Sequence, residues 1–286
     1  MQCADEAMQS AKHSGGNRWE YFRKSRKDEI LAVKHLLDDL RAALQNAEFF
    51  LAYQPIFDLR SGRLLKAEAL LRWNHPERGL VGPADFIPAA EHSGKILAIG
   101  QWVFEHASKD LQSLLQIEPA FQLSINFSAK QIFDSNFDVG TYTQLLTDVN
   151  IPPSHIVLEF TEGVMLTEEK LIADRLHALR AAGFEIAIDD FGTGYSSLSY
   201  VDRFNFNYLK IDQSFVRAPR SDSKKQALCR AIVSMGHALD MKIIAEGIET
   251  EAQQALLEGI GCDYGQGYFL GRPMPLDALK ALLKKP

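Results

Sequence analysis

Short apolar runs alternate with amphipathic helical stretches along the chain from residue 48 onward. Eight runs have the β-branched and aromatic character that is typical of buried strands. They cover residues 49–57, 63–73, 121–127, 155–160, 184–190, 208–212, 242–247 and 264–269. Stretches with apolar residues at every third or fourth position separate or follow them, including 101–116, 170–182, 224–239 and 275–285. This alternation predicts an α/β fold, a TIM-like (β/α)8 barrel.

One connection in this pattern is too short for a parallel crossover. Only the turn 58–62 separates the first run from the second, whereas parallel neighbours need a connection of about a dozen residues or more. We therefore expect these two strands to be antiparallel within an otherwise parallel barrel.

The first 47 residues follow a different pattern. SGGN at 14–17 interrupts two helical segments, and a charged amphipathic helix is predicted from Asp28 to Gln45. This region has too few apolar positions to build a core of its own, so we interpret it as a fragment followed by a helical linker.

Composition narrows the classes of function. The chain has 286 residues with 31 Lys+Arg and 37 Asp+Glu, a formal charge of −6. An acidic balance argues against binding polymeric nucleic acid, which needs positive charge to displace counterions. No segment resembles a membrane span or a signal peptide. The three cysteines, Cys3, Cys229 and Cys262, form no CxxC pair, which favours a reducing, cytoplasmic compartment.

Acidic and amide side chains stand at the ends of most of the predicted strands. They are Asn126, Glu159, Asp189, Asp190, Asp212 and Glu246, while Glu68 lies within the second strand. Because the chemistry of such barrels sits at the carboxyl ends of the strands, five or six carboxylates should meet at one mouth. Like charges that close require cations between them. An all-oxygen ligand set favours magnesium or manganese.

Other interpretations remain open for single positions. An acid that ends a strand can simply cap the next helix. Lys210 suits a counter-ion to neighbouring carboxylates as well as a catalytic group, and Arg72 suits a clamp for a carboxylate as well as for a phosphate. The run FGTGYSSLSY after Asp190 lacks the Lys-Ser/Thr ending of a P-loop, so we interpret it as a loop that shapes the metal site.

At these residues the sequence resembles the EAL-domain family of cyclic di-GMP phosphodiesterases, from about residue 34 to 282. The naming motif stands as Glu68-Ala69-Leu70 within EALLRW. The other motifs are YQPI (53–56), SINFS (124–128), LEFTE (158–162), DDFGTGYSS (189–197), LKID (209–212), AEGIE (245–249) and QGYF (266–269). The family fold is a barrel with one antiparallel strand, in agreement with the short turn at 58–62.

The resemblance implies roles for individual side chains. The implied metal ligands are Glu68, Asn126, Glu159, Asp189, Asp190 and Glu246. Glu68 also counts among the catalytic residues, together with Lys210, which positions or deprotonates the attacking water, and Glu162, which steadies the DFGTG loop. The implied substrate contacts are Gln54, Leu70, Arg72, Asp212, Glu249 and Gln266.

The implied chemistry is hydrolysis of one phosphodiester bond of cyclic di-GMP to linear 5′-pGpG by a water that two divalent cations activate. The cations are magnesium or manganese, and calcium is expected to bind without supporting turnover. The family also implies a homodimer through the loop and helix after Asp190.

The opening residues resemble the end of a GGDEF domain. We expect a GGDEF-like remnant over 1–22, a linker helix over 23–33 and an EAL phosphodiesterase domain over 34–286. An upstream GGDEF domain is then expected in a longer native protein, which leaves open a membrane anchor ahead of it.

Two alternatives belong to other functional classes. One is a receptor module that binds cyclic di-GMP and signals without cleaving it; product formation separates it from an enzyme. The other is a barrel glycosidase or enolising enzyme with paired carboxylates, which leaves four acids and Asn126 without a task.

Overall fold

The computed structural model describes residues 24–166, 169–192, 204–217 and 223–285. Within this part of the chain, nine strands form one sheet in the order β1-β9-β8-β7-β6-β5-β4-β2-β3, and β1 also pairs with β2. The strands are β1 (Phe49–Asp58), β2 (Leu64–His75), β3 (Gly79–Val81), β4 (Gln122–Asn126), β5 (Ile156–Thr161), β6 (Glu185–Phe191), β7 (Tyr208–Ile211), β8 (Lys242–Ala245) and β9 (Tyr264–Gly265). The β1–β2 pairing closes eight strands into a barrel, and β3 extends β2 as a hairpin outside it.

The pairing directions confirm the predicted barrel with one antiparallel strand. Strand β1 is antiparallel to both β2 and β9. The other barrel neighbours, from β2 through β4 to β9, are parallel. The short turn after β1 forces this reversal, because five residues cannot carry the chain back across the barrel.

Helices cover the barrel. They are α1 (Lys24–Gln45), α2 (Pro83–Ser93), α3 (Ile96–Leu115), α4 (Ala129–Ile132), α5 (Val139–Asp148), α6 (Glu169–Ala181), α7 (Gln213–Val216), α8 (Ser223–Ala238), α9 (Glu251–Gly259) and α10 (Leu276–Leu283), with 3₁₀ turns at Pro153–His155 and Glu162–Leu166. None of these described helices combines the length and the apolar character needed to cross a membrane.

The N-terminal predictions fall partly on described residues. The described part of the predicted 23–33 linker, residues 24–33, lies in α1, which begins at Lys24 and continues to Gln45. The proposed GGDEF-like remnant over 1–22 lies outside the described residues. The domain boundaries therefore stay predictions.

The last two strands end earlier than their composition predicts. Strand β8 ends at Ala245 and β9 at Gly265, whereas the apolar runs extend to residues 247 and 269. The aromatic pair Tyr268 and Phe269 belongs to a loop and is 49% and 47% exposed. Aromatic residues raise strand propensity wherever they occur, so the pattern could not separate a strand from the loop that follows it. The three-residue β3 was not predicted at all.

Gly267 packs this loop directly against the neighbouring backbone. A Cβ at this position would lie 2.2 Å from both the nitrogen and the oxygen of Ile248. Two hydrogen bonds hold that backbone: the Ile248 N–H donates to the Gln266 carbonyl, and the Phe269 N–H donates to the Ile248 carbonyl. Because Gly267 has no side chain, the loop after β9 can lie against the backbone of Ile248, where these hydrogen bonds hold it.

We expect Gly267→Ala to destabilise the fold by about 1–3 kcal/mol, because backbone must move to admit the methyl group. The measurement is chemical denaturation, with Gly259→Ala as the control, since a Cβ at Gly259 would meet no atom of the described residues within 4 Å. Equal stability of the two variants would contradict this packing.

Candidate functional site

The barrel interior is built in two successive layers. Ile56, Val157, Ala187, Tyr208 and Ile244 form a small buried cluster of their own. Residues two apart on a strand share a face, so the next interior residue of each strand lies one layer closer to the carboxyl end. The pairs on parallel strands are Val157 and Glu159, Ala187 and Asp189, Tyr208 and Lys210, and Ile244 and Glu246. On β5, β6, β7 and β8 a residue of this buried cluster thus lies below a charged residue.

Lys210 lies at the centre of the charged layer. Its Nζ is 2.7 Å from Glu159 Oε2, 2.7 Å from Glu246 Oε1, 3.2 Å from Asp189 Oδ1 and 3.6 Å from Glu68 Oε2. The side chain is 1% exposed. Three strands and the residue that follows β8 therefore each bring a carboxylate to one ammonium group, as the strand ends predicted. With all of them ionised, one cation leaves this cluster strongly negative.

The pKa shifts in the cluster follow from burial and charge. Burial works against charge on Lys210, but the carboxylates of Asp189, Glu159, Glu246 and Glu68 raise its pKa well above the ordinary lysine value. Burial raises the pKa of Glu159 well above its usual range, although Lys210 opposes this. Burial also raises the pKa of Glu246 to about 7. The cluster therefore holds a charged lysine next to two acids, Glu159 and Glu246, that are poorly stabilised as anions.

Glu68 is better stabilised as an anion than Glu159 and Glu246. It accepts hydrogen bonds from Asn126 Nδ2 and from Gln266 Nε2, each at 2.7 Å. Burial opposes its charge, yet Lys210 and these two amides lower the pKa of Glu68 below its ordinary value. Gln266 Nε2 also donates to Gln54 Oε1 at 3.0 Å. Gln54 lies directly opposite Glu68 because β1 runs antiparallel to β2.

The chemistry of the acidic residues fits divalent cations. Asp189, Asp190 and Glu246 each offer a carboxylate oxygen, and these atoms all lie within 4.8 Å of one another. Glu159 Oε1 is buried and has no hydrogen-bond partner among the described residues. Burial and the neighbouring Asp189 raise the pKa of Asp190. Hard cations such as Mg²⁺ and Mn²⁺ prefer such oxygen ligands.

Glu162 holds the start of the glycine-rich loop. Its side chain is buried, and its Oε2 accepts a hydrogen bond from the Gly192 N–H at 3.1 Å. Gly192 has a φ of 94°, a conformation that favours glycine. The loop-steadying role that the resemblance implied for Glu162 stays a prediction, and it would act through this contact. Residues 193–203, which carry the rest of this loop and the predicted dimer contact, lie outside the described residues.

Two cavities open beside the cluster, and both are lined by Glu68 and Gln213. The larger has a volume of about 690 Å³ and a mainly apolar wall. Its lining includes Leu70, Ile87, Val103 and Phe127. The smaller has a volume of about 200 Å³ and a mainly polar wall. Its lining includes Gln54, Arg217, Glu249, Gln266 and Tyr268. We call them the apolar lobe and the polar lobe.

The predicted substrate contacts divide between these lobes and other positions. Leu70 lines the apolar lobe, and Gln54, Glu249 and Gln266 line the polar lobe. The described linings include neither Arg72 nor Asp212. Arg72 Nη1 donates to the Leu71 carbonyl at 2.8 Å. Asp212 Oδ1 accepts from the Ser214 N–H at 2.9 Å and caps α7, the alternative that strand-ending acids left open.

Three side chains in the described lining of the polar lobe were not predicted as site residues from the sequence: Gln213, Arg217 and Tyr268. Gln213 and Arg217 stand four positions apart immediately after LKID, which is the spacing of one helix face. Tyr268 lies in QGYF, a run that its composition assigned to a strand. The signal for the first two was present, but a four-residue helix is too short to be recognised from its periodicity.

Comparison with known proteins places these observations in context. The sequence profile of the EAL domain matches residues 37–273. The chain is 41% identical over 279 residues to the bifunctional diguanylate cyclase/cyclic di-GMP phosphodiesterase MucR of Pseudomonas aeruginosa, covering 97% of this chain and 41% of that protein. It is 34% identical over 282 residues to the cyclic di-GMP phosphodiesterase PdeR of Escherichia coli, covering 99% of this chain and 42% of that protein. The chain thus spans less than half the length of these relatives.

A solved structure has the same architecture. The cyclic di-GMP complex of the PaMucR phosphodiesterase superposes with a TM-score of 0.82 at 41% sequence identity, covering 86% of this chain and 99% of that chain. The likeness therefore extends over the whole of that solved chain.

We expect Mg²⁺ or Mn²⁺ to raise the thermal midpoint of this chain, because the ions relieve the crowding of carboxylates and bind only the folded state. At metal concentrations about a hundredfold above Kd the shift should be roughly 5 °C. The measurement is differential scanning calorimetry with and without EDTA. Asp189→Asn should abolish most of the shift. Glu258→Gln is the control, because Glu258 contacts Gln254 on the exposed face of α9. A full shift in the Asp189 variant would place the ions elsewhere.

Proposed function

We propose that this chain, which belongs to the EAL domain family, hydrolyses one phosphodiester bond of cyclic di-GMP and releases linear 5′-pGpG. The observation that carries the proposal is the convergence of Glu68, Glu159, Asp189 and Glu246 on Lys210 at the carboxyl end of the barrel. The names of MucR and PdeR, and the bound ligand of the PaMucR structure, support the choice of substrate.

The proposed reaction adds water across one ester bond. The water oxygen bonds to phosphorus, the bond from phosphorus to the 3′ oxygen breaks, and the products are a 3′-hydroxyl and a 5′-phosphate. The proposed ligands of two divalent cations are Glu68, Asn126, Glu159, Asp189, Asp190 and Glu246. When bound, such ions supply Lewis acidity that activates water and offsets charge on the phosphoryl oxygens.

Lys210 takes a positioning role in this proposal. An ammonium group has three donors and no acceptor, and here acidic residues hold it on several sides. It can hold a water or a phosphoryl oxygen by donation, while a role as base would require it to give up the proton that these contacts favour. We therefore assign Lys210 to orientation of the reacting atoms rather than to proton removal.

Glu162 acts through the backbone in this proposal. By accepting from the Gly192 N–H, it fixes the chain two residues after Asp190. Asp190 itself has a φ of 56°, in the left-handed region, and its N–H donates to Asp189 Oδ1 at 2.9 Å. The two neighbouring acids are thereby held in one arrangement, which a ligand pair requires.

The two lobes match a ligand with two bases. A cyclic dinucleotide carries its two phosphates in the ring and a base on either side. The apolar lobe offers a surface for a flat ring, and the polar lobe offers groups that read an edge. Paired carboxylates of a glycosidase would need only two of the acids that meet here.

The first test is product formation. We expect the chain to convert cyclic di-GMP to 5′-pGpG with Mg²⁺ or Mn²⁺, measured by liquid chromatography. Mutation of a residue that only supports a metal ligand commonly lowers activity about 10–100-fold. Glu246 is itself a proposed ligand, so Glu246→Gln should lower activity by more than about 100-fold. Glu258→Gln should match the wild type. Binding of cyclic di-GMP without turnover would instead identify a receptor module, and unchanged turnover in the Glu246 variant would refute the metal assignment.

Lys210→Ala should lower kcat more than it weakens binding, because the positioning role concerns the reacting atoms. The measurement combines single-turnover rates with the Kd for cyclic di-GMP in the presence of Ca²⁺. Differential scanning calorimetry of the variant with bound metal is the control for its folding. An equal loss in both quantities would make Lys210 a substrate contact.

A further inference from the structure

The polar lobe contains one cation that the proposed reaction does not use. Among the described residues that line it, Lys210 and Arg217 carry positive charge. Lys210 is enclosed by carboxylates, whereas the Arg217 side chain is 46% exposed. Arg217 is therefore the lining cation that an entering ligand can reach.

The position of Arg217 depends on a close approach between α7 and the loop after β8. Gly247 has a φ of 69°. A Cβ there would lie 2.5 Å from Gln213 Cβ and 3.6 Å from Arg217 Nε. Only a bare backbone lets α7 lie this close, so Gly247 brings the i and i+4 residues of one helix face to the wall of the lobe.

Arg217 is paired with Glu249 at the same wall. Arg217 Nη2 lies 2.7 Å from Glu249 Oε1, and the Glu249 side chain is 42% exposed. An exposed pair of this kind contributes little to stability. Breaking this pair on ligand binding therefore costs little free energy. The guanidinium can exchange the Glu249 carboxylate for an acceptor on the ligand.

The pair presents donors and an acceptor side by side. A phosphate fits such a wall poorly, because the Glu249 carboxylate repels it. The edge of a guanine fits well, since O6 and N7 accept hydrogen bonds from arginine while N1–H and the 2-amino group donate to a carboxylate. Adenine offers a donor where guanine has O6, and it would meet the arginine with the wrong group.

We propose that Arg217 is a specificity-determining residue that donates to O6 and N7 of one guanine of the substrate in the polar lobe. This inference rests on the proposed function for the identity of the ligand. It assigns to Arg217 a base contact and no part in the chemical step.

The test is equilibrium binding of cyclic di-GMP and cyclic di-AMP to the full chain in calcium, measured by calorimetry and by competition. The variants are Arg217→Ala and Arg217→Gln. Arg63→Ala is the matched control. Arg63 Nη2 lies 2.8 Å from Glu118 Oε2 in a comparable surface ion pair. Neither residue belongs to the described lining of either lobe.

We expect Arg217→Ala to raise the Kd for cyclic di-GMP about tenfold and to leave cyclic di-AMP within about twofold. Arg217→Gln should move the preference toward cyclic di-AMP, since an amide pairs with N6 and N7 of adenine. Arg63→Ala should change neither ligand. In hydrolysis assays Arg217→Ala should have a higher KM for cyclic di-GMP than the wild type and an unchanged kcat.

Three results would overturn the inference. The first is an unchanged Kd for cyclic di-GMP in Arg217→Ala. The second is an equal loss of affinity for cyclic di-GMP and cyclic di-AMP in that variant, which would indicate a phosphate contact. The third is an Arg217→Gln variant with the same preference between the two dinucleotides as the wild type. Wild-type turnover is measured in parallel. If the wild type binds cyclic di-GMP without cleaving it, the hydrolysis proposal fails while the binding data still decide the role of Arg217.

Discussion

The site depends on one interaction, the enclosure of Lys210 by Glu68, Glu159, Asp189 and Glu246. Buried carboxylates repel one another, and burial penalises each charge separately. The lysine compensates for part of this cost and so allows four acids to occupy one small volume. It does not compensate for all of it, as the raised pKa values of Glu159 and Glu246 indicate. The same incomplete compensation is the physical basis on which we propose that the cluster binds further cations.

Strand register puts these groups in one layer. Strands β5, β6, β7 and β8 each contribute a residue of the small buried cluster to the layer below and align a charged residue two positions later, so a single-residue slip would turn the acids outward. The antiparallel β1 contributes from the opposite direction, and its pairing sets Gln54 opposite Glu68. Gln266, from the loop after β9, then links the two through hydrogen bonds. The reversed strand thus completes the polar layer that the parallel strands begin.

The sequence predicts the barrel and its acidic mouth well because both follow from local patterns. Alternation places Glu159, Asp189 and Glu246 at strand ends, and the turn 58–62 is short enough to require a reversal. Loops were harder, because Tyr268 and Phe269 look like strand residues although Gly267 fixes them against Ile248. It was harder still to predict which of the strand-ending acids face Lys210. Nothing local distinguishes Asp212, which caps α7, from Asp189, which faces the lysine, since both end apolar runs. That distinction arises only when eight strands close.

A second buried lysine shows why the chemistry is confined to one end of the barrel. Lys66 lies two residues before Glu68 on β2, in the layer below. It donates to Tyr208 Oη at 2.7 Å and to Gln122, and its ammonium lies 4.1 Å from the centre of the Tyr208 ring. Burial lowers the pKa of Lys66 to about 8, with only partial compensation from Glu185 and Glu159. Lys210, one layer higher, has its pKa raised by a ring of acids. Two buried lysines thus differ in the direction of their pKa shifts because negative charge is concentrated at the carboxyl end of the barrel. We expect divalent ions to bind at that end for the same reason.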